Sequence, residues 1–263
     1  MNNTLEKFKR QQAQMVQLLN ELQAVVRLGE QAGMANAPKL EDKIQAALSS
    51  VSGDKLKVAL IGGFSEGKTS IVAAWMERLD KSSMNISHLE SSNAVKLYDV
   101  AEDFVLIDTP GLFGFKEQVN DETHTIEKFK DITKKYVSEA HLVLYVMNST
   151  NPIKESHKED LQWLFRTLNL LPRTVFVLSR FDEIADVEDE DDYDYNFNIK
   201  KNNVQGRLTD LIGLSAYEAK ELSIVAVAAN PFDLGMDHWL QNLEEFKAVS
   251  HIHKLQKATS EKI

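Results

Sequence analysis

Two hydrophobic rhythms alternate along the chain. Short, largely apolar runs, Leu56–Ile61, Phe104–Ile107, His141–Met147, Thr174–Leu178 and Ser223–Ala228, are bounded by glycine, proline or polar residues. Runs of this length, rich in branched residues, predict strands buried on both faces, as in a parallel sheet. Between them lie stretches with apolar residues at helical spacing: Ser70–Met76, Ile126–Val137, Ser156–Leu171 and Asn202–Leu214. Val95–Val100 instead alternates apolar and polar positions, which predicts an edge-like strand returned by a hairpin at Ala101–Asp103. The alternation of strand and helix patterns predicts a three-layer α/β fold with a mostly parallel sheet.

Both ends of the chain read as helix. Leu5, Phe8, Met15, Leu18, Leu19, Leu22, Val25, Val26 and Leu28 form an apolar stripe, punctuated by Gly29 and Gly33. Pro38 opens a second helical pattern through Leu40, Ile44 and Leu48. A final helix over Asp237–Lys262 carries Leu240, Leu243, Phe246, Val249, Ile252 and Leu255 on one side. The chain thus divides into N-terminal helices (1–53), an α/β domain (54–236) and a returning C-terminal helix (237–263). Amphipathicity fits two arrangements equally, packing on the side of the domain or a helical bundle built from both termini.

The junctions between strands and helices carry the chemistry. Gly62-Gly63-Phe64-Ser65-Glu66-Gly67-Lys68-Thr69 satisfies G-x-x-x-x-G-K-[ST] between a predicted strand and a predicted helix that begins at Ser70. That geometry aims backbone N–H groups and a helix N-terminus at phosphate. Lys68 would reach the β- and γ-phosphates, and the Thr69 hydroxyl would ligate Mg²⁺. Asp108-Thr109-Pro110-Gly111 ends the second apolar run, where the carboxylate can hold a Mg²⁺-bound water and the Gly111 N–H can contact a γ-phosphate. Ser179-Arg180-Phe181-Asp182 ends a later run, where an aspartate can accept hydrogen bonds from the N1–H and 2-amino group of guanine. Ala229 and Asn230, after the last run, stand where a short loop would back the base. An ATP site remains open if Ser179–Asp182 is accidental.

The segment Leu79–Asn93 is polar and serine-rich, reads as a switch loop, and offers Ser91 or Ser92 as a further Mg²⁺ ligand. Leu112–Thr125 reads as a second switch. The acidic run Asp186–Asp194 reads as a solvated loop, with a cation site or a docking patch for a basic partner as the alternative.

Composition narrows the choices. Over 263 residues the net charge is -10, which argues against a nucleic-acid partner, since phosphate neutralisation needs a basic face. With no cysteine there is no disulfide and no thiolate metal site, and the histidines show no ligand spacing. Neither a signal-peptide pattern nor a long apolar span occurs, so the expected location is cytoplasmic, with at most peripheral membrane contact.

Gly62–Thr69, Asp108–Gly111 and Ser179–Asp182, in that order on alternating strands and helices, resemble the GTPase domain of the translation-factor-like P-loop class. With helices on both flanks, the whole chain resembles the dynamin superfamily and in particular its bacterial members. The resemblance implies GTP hydrolysis to GDP with Mg²⁺, with Lys68, Ser65 and Gly111 as catalytic groups. It also implies a homodimer through the GTPase face and work on membranes or vesicles through parts outside these residues. Three departures bear on catalysis. Phe64 stands where dynamins carry a glutamine, Leu112 where Ras-like GTPases place a water-orienting glutamine, and a serine replaces the switch threonine. Low intrinsic turnover is therefore expected, and a GTP-binding scaffold with little hydrolysis is the second reading.

Overall fold

The structure, a computed structural model, describes residues 2–63, 67–77, 87–91, 95–101, 103–109 and 134–263. Its centre is a seven-stranded sheet. The strands are β1 (Leu56–Gly62), β2 (Ser87–Ser91), β3 (Lys96–Ala101), β4 (Phe104–Asp108), β5 (Leu142–Asn148), β6 (Thr174–Ser179) and β7 (Ser223–Ala226). They lie in the order β2-β3-β4-β1-β5-β6-β7. β4, β1, β5, β6 and β7 run parallel, and β3 and β2 add an antiparallel hairpin at one edge. The central strands are largely apolar because both faces are covered: every residue of β6 and all but the last of β5 are buried.

The helices are α1 (Asn2–Gln31), α2 (Ala37–Gly53), α3 (Lys68–Trp75), α4 (Lys158–Gln162), α5 (Glu190–Ile212), α6 (Ala216–Lys220), α7 (Met236–Gln241), α8 (Leu243–Ser250) and α9 (Ile252–Lys262). α9 packs on β6, β7, α3 and α1, while Tyr145 and Phe176 of the sheet meet Phe165, just beyond α4, ring against ring. The result is a three-layer α/β domain with helical additions.

Several expectations are corrected. The predicted switch loop contains β2, a polar strand held by pairing with β3 and recognisable only through that partner. The acidic run is largely a helix start: the Asp189 side chain accepts hydrogen bonds from the N–H groups of Asp191 and Asp192, at 2.9 and 3.4 Å, and caps α5. Carboxylates in a first turn also meet the positive end of the helix dipole. α5 accordingly begins twelve residues before the predicted start at Asn202, counting from Glu190. The predicted helix Ser156–Leu171 is split, with α4 running into a wider π turn at Trp163–Thr167. The final helix is three pieces, broken at Asn242 and at His251, whose φ is 51°. That second break is fixed from outside, because Ala228 N–H donates to Ser250 O and the buried His251 ring contacts Val187 O. Of the Ile126–Val137 helix, residues 134–138 are helical and the rest lies outside the described residues, as does the Leu112–Thr125 segment.

The N-terminal stripe divides its duties. Leu5 and Phe8 pack on the main core, and Val26 forms a small second core with Ala37 and Ile44 of α2. Met15, Leu18, Leu22 and Val25 are exposed. Ile252, Leu255 and Ala258 of α9 belong to the same buried cluster as the sheet.

One buried polar junction ties α1, α3 and α9 together. The Thr259 hydroxyl lies 3.0 Å from Gln256 O, Trp75 Nε1 and Thr4 Oγ1 alike. Its single proton goes to the Gln256 carbonyl, so it accepts from both the indole N–H and the Thr4 hydroxyl. Thr4, Trp75 and Thr259 are all fully buried. Thr259→Val keeps the shape but removes the acceptor, which should cost about 1–3 kcal/mol. Thermal unfolding should register it as a drop of roughly 2–4 °C per kcal/mol, while Thr259→Ser should stay near the parent.

Candidate nucleotide-binding site

The parallel strands deliver the candidate residues to one edge of the sheet, the carboxyl ends, where α/β folds bind ligands. β1 closes at Gly62, Gly63 follows, and Gly67 is the N-cap of α3. Gly67 has φ 78° and ψ 18°, and among the described residues a Cβ built there would meet no atom within 4 Å. The glycine is needed for its left-handed backbone. Lys68, the first residue of α3, turns its ammonium back over the loop, donating to Gly63 O at 2.7 Å and Gly62 O at 3.3 Å. Thr69 is exposed and Ser70 half-buried on the same helical turn. Phe64, Ser65 and Glu66 lie outside the described residues.

Beside β1, β4 ends at Asp108, in register with Leu60. Thr109 fixes that end, its hydroxyl donating to Leu60 O at 2.7 Å from a buried position. The Asp108 charge, after burial, helps push the Tyr98 hydroxyl above its usual pKa, so the two groups face one neighbourhood. Gly111 and Ser92 lie outside the described residues. Ser91 ends β2 opposite Lys96, which is itself opposite Asp108, placing its backbone two strands away, roughly 10 Å at ordinary strand spacing.

The other half of the site is built at β6. Ser179 is buried, its hydroxyl donating to Met147 O at 2.9 Å, while the Ser149 hydroxyl donates to Ser179 O at 2.6 Å. Arg180 turns the chain with φ 53°, and Phe181 is buried against Tyr193. Asp182 accepts the Phe232 N–H at 2.8 Å. Burial, chiefly, raises its pKa above the ordinary aspartate value. Ala229 is buried, and Asn230 organises the following loop: its amide donates to Asp233 at 2.8 Å and its oxygen accepts Gly235 N–H at 2.9 Å.

A cavity of about 430 Å³ joins the two halves. Its walls run from Gly67, Ser70 and Ile71 at the head of α3 to Arg180, Asp182 and Asn230. Of the predicted residues, Gly67, Ser70, Ser179, Arg180, Asp182, Ala229 and Asn230 line it, while Gly62, Gly63, Lys68, Thr69, Asp108 and Ser91 do not. The cavity adds Phe232 and Asp233, which the sequence reading passed over. Both have positive φ, 56° and 54°, a strained conformation worth about 1–3 kcal/mol for each residue. Their one sequence signal was the turn-forming Asn230-Pro231 ahead of them. Ser149 and Thr109, which hold β5, β6 and β4 in place, were also missed.

An α/β domain with this strand edge, glycine loop and carboxylate is a P-loop GTPase domain, and comparison with known proteins agrees. Residues 57–180 match the family described as 50S ribosome-binding GTPase, and residues 214–263 match the dynamin-like helical domain. The chain belongs to the dynamin-like GTPases. It is similar to LeoA, a bacterial dynamin GTPase from ETEC, at 34% identity with a TM-score of 0.84, over 98% of this chain. The match spans 44% of the LeoA chain. Toc33 from Arabidopsis thaliana, solved with GDP and Mg²⁺, shares the fold at 15% identity and TM-score 0.51, over 84% of this chain and 90% of its own. Comparison with curated protein sequences gives no match.

The raised pKa of Asp182 sets a pH dependence. A protonated carboxyl cannot accept two hydrogen bonds from a base while holding the Phe232 N–H. On the base-reading role proposed below for Asp182, guanine-nucleotide affinity should fall as pH drops through the Asp182 pKa, with a midpoint above the ~3.9 of an ordinary aspartate. Calorimetric titrations with GDP between pH 7 and pH 4 check this, with Asp182→Asn as the variant that lacks the transition.

Proposed function

We propose that this chain is the catalytic domain of a dynamin-like protein that binds GTP with Mg²⁺, hydrolyses it to GDP, and couples nucleotide state to self-association. The observation that carries the reading is the single cavity linking the N-terminus of α3 to the Asp182 carboxylate. It offers phosphate-binding backbone at one end and an acceptor for guanine's donors at the other.

Within it, Gly62–Ser70 would cradle the phosphates, and Lys68 would leave its carbonyl partners for the β- and γ-oxygens. Arg180 would cover the base, which Asp182 reads and Ala229 and Asn230 back. The Mg²⁺ suits the donors present. The Thr69 hydroxyl and the Asp108 carboxylate are hard oxygen ligands at one strand edge, with the serine of the switch, Ser91 or Ser92, as a third candidate. Among the described residues no three His, Cys, Asp or Glu side chains cluster, and Mg²⁺ in nucleotide sites is usually held by one or two protein ligands together with phosphate and water. When bound, the ion neutralises charge on the phosphates. Catalysis by the chain itself would be positioning and electrostatic stabilisation by Lys68, Ser65 and the Gly111 N–H.

Phe64 and Leu112 favour a second reading, a GTP-binding scaffold or switch with little intrinsic hydrolysis. The Toc33 structures include a dimerization-deficient mutant, and LeoA is a bacterial dynamin, so a homodimer through the GTPase face is the state in which we place turnover. Membrane or vesicle work belongs to the whole protein. Among the described residues no helix is long and apolar enough to cross a membrane.

Phosphate release from GTP with Mg²⁺, followed over a wide range of protein concentration, separates the readings. Specific activity should climb with concentration if a second subunit completes the site. Tight GTP binding without release at any concentration would leave the scaffold. Lys68→Ala should weaken GTP binding at least about 100-fold, the loss of charge-assisted contacts. Asp182→Asn exchanges an acceptor for a donor and should move preference from GTP toward XTP, whose base carries a carbonyl in place of the 2-amino group. Unchanged base preference in that variant would reopen the ATP reading.

A further inference from the structure

The cavity contains one residue that neither the motifs nor the fold requires. Phe232 is 45% exposed, although Pro231 before it and Trp239 beyond it are buried. Leu234, also exposed on this loop, does not line the cavity, whereas Phe232 does. A single half-exposed aromatic is ordinary on a protein surface; what distinguishes Phe232 is that it lines the cavity beside Asp182.

The backbone at Phe232 sharpens the point. A bulky residue at φ 56° and ψ 16°, followed by Asp233 at φ 54°, is held in a region such side chains avoid. Four hydrogen bonds maintain it. Phe232 N–H donates to Asp182, Asn230 holds Asp233 and Gly235, and Trp239 Nε1 donates to Pro231 O at 3.2 Å. Strain kept in place by its surroundings at a cavity wall is a mark of pre-organisation. Here the same residue that presents the ring also steadies the carboxylate, through its own N–H. The Phe232 backbone is therefore tied directly to the Asp182 carboxylate, and its ring starts from a Cα fixed beside it.

The geometry points to Phe232 as a base-positioning residue whose ring packs on the guanine while Asp182 reads it; the inference rests on the nucleotide site proposed above. Arg180 lines the same cavity beside the carboxylate, so a planar base entering it meets a guanidinium and an aromatic ring, both of which favour π-faces. Such packing is indifferent to which base enters and to the number of phosphates. It raises affinity for GTP and GDP alike, and leaves discrimination between bases to Asp182.

The test is calorimetric affinity for GTP and GDP in the full chain with Phe232→Ala, Phe232→Gly and Phe232→Trp. Ala and Gly should both weaken GTP and GDP by the same factor, about ten- to a hundred-fold for a lost base–aromatic stack. Trp should stay close to the parent. Gly also relieves the positive φ, so a Gly variant with raised thermal stability and weakened binding would show that the ring, not the loop, is what the nucleotide needs. Parent-like affinity in Ala or Gly overturns the assignment, as does a loss confined to GTP, which would place the effect at the phosphates. If Phe232→Ala is silent while Asp182→Asn still switches base preference, Phe232 alone is wrong. A parent chain with no preference for guanine removes the base-reading assignment and this one with it.

Discussion

Five strands that run in the same direction must end along the same edge, and the remainder of the site follows from that constraint. β4, β1, β5, β6 and β7 are locked in parallel register, with Leu60 opposite Asp108, Gly62 opposite Val146, and Asn148 opposite Ser179. Residues far apart in sequence become neighbours without any dedicated contact between them. Buried hydroxyls trim the strand ends: Thr109 holds β4 to β1, and Ser149 with Ser179 holds β5 to β6. Loops leaving such an edge inherit its rigidity. That is why Gly67, Arg180 and Phe232 can keep positive φ angles where a freer chain would relax them.

How far the sequence foretells this depends on where each residue's environment comes from. The central strands were legible because burial on both faces demands a continuous apolar run, a property of the strand alone. Gly62–Thr69 was legible for a similar reason, since its glycines answer to local backbone geometry. β2 was not. Ser87–Ser91 has no pattern of its own and is ordered by pairing with β3. In Asp186–Asp194 the sequence shows charge but not its use. Asp189 acts as a cap only because the chain coils directly after it. Phe232 was least accessible of all, since its conformation depends on a hydrogen bond to a carboxylate 50 positions away. The break at His251 is of the same kind, imposed by Ser250 O meeting the end of β7 and by a ring stacked on Tyr193.

The loop that follows β7 and the helical layer are also joined through that break. Tyr193 donates its hydroxyl to Ala226 O at 2.8 Å at the end of β7, stacks on His251, and lies under the Lys254 ammonium of α9. Burial, aided by Glu190 and Asp194, raises the Tyr193 pKa and keeps the hydroxyl a donor at neutral pH. The strand that leads into Ala229 and Asn230 is thus buttressed by the junction of α8 and α9.

The junction of Thr4, Trp75 and Thr259 has a consequence for how the molecule comes into being. Thr259 is 184 positions beyond Trp75 and 255 beyond Thr4. At about 5–20 residues per second on a ribosome, the indole of α3 would be synthesised roughly 10 to 40 s before the hydroxyl that accepts its proton. Through that interval the residues of α3 have been made while α9, on which α3 packs, has not. Completion of the layer beneath the nucleotide site is therefore a late event, with a high contact order that slows it further. During synthesis, chaperones would meet this protein as an unfinished sheet with its helical cover still to be made.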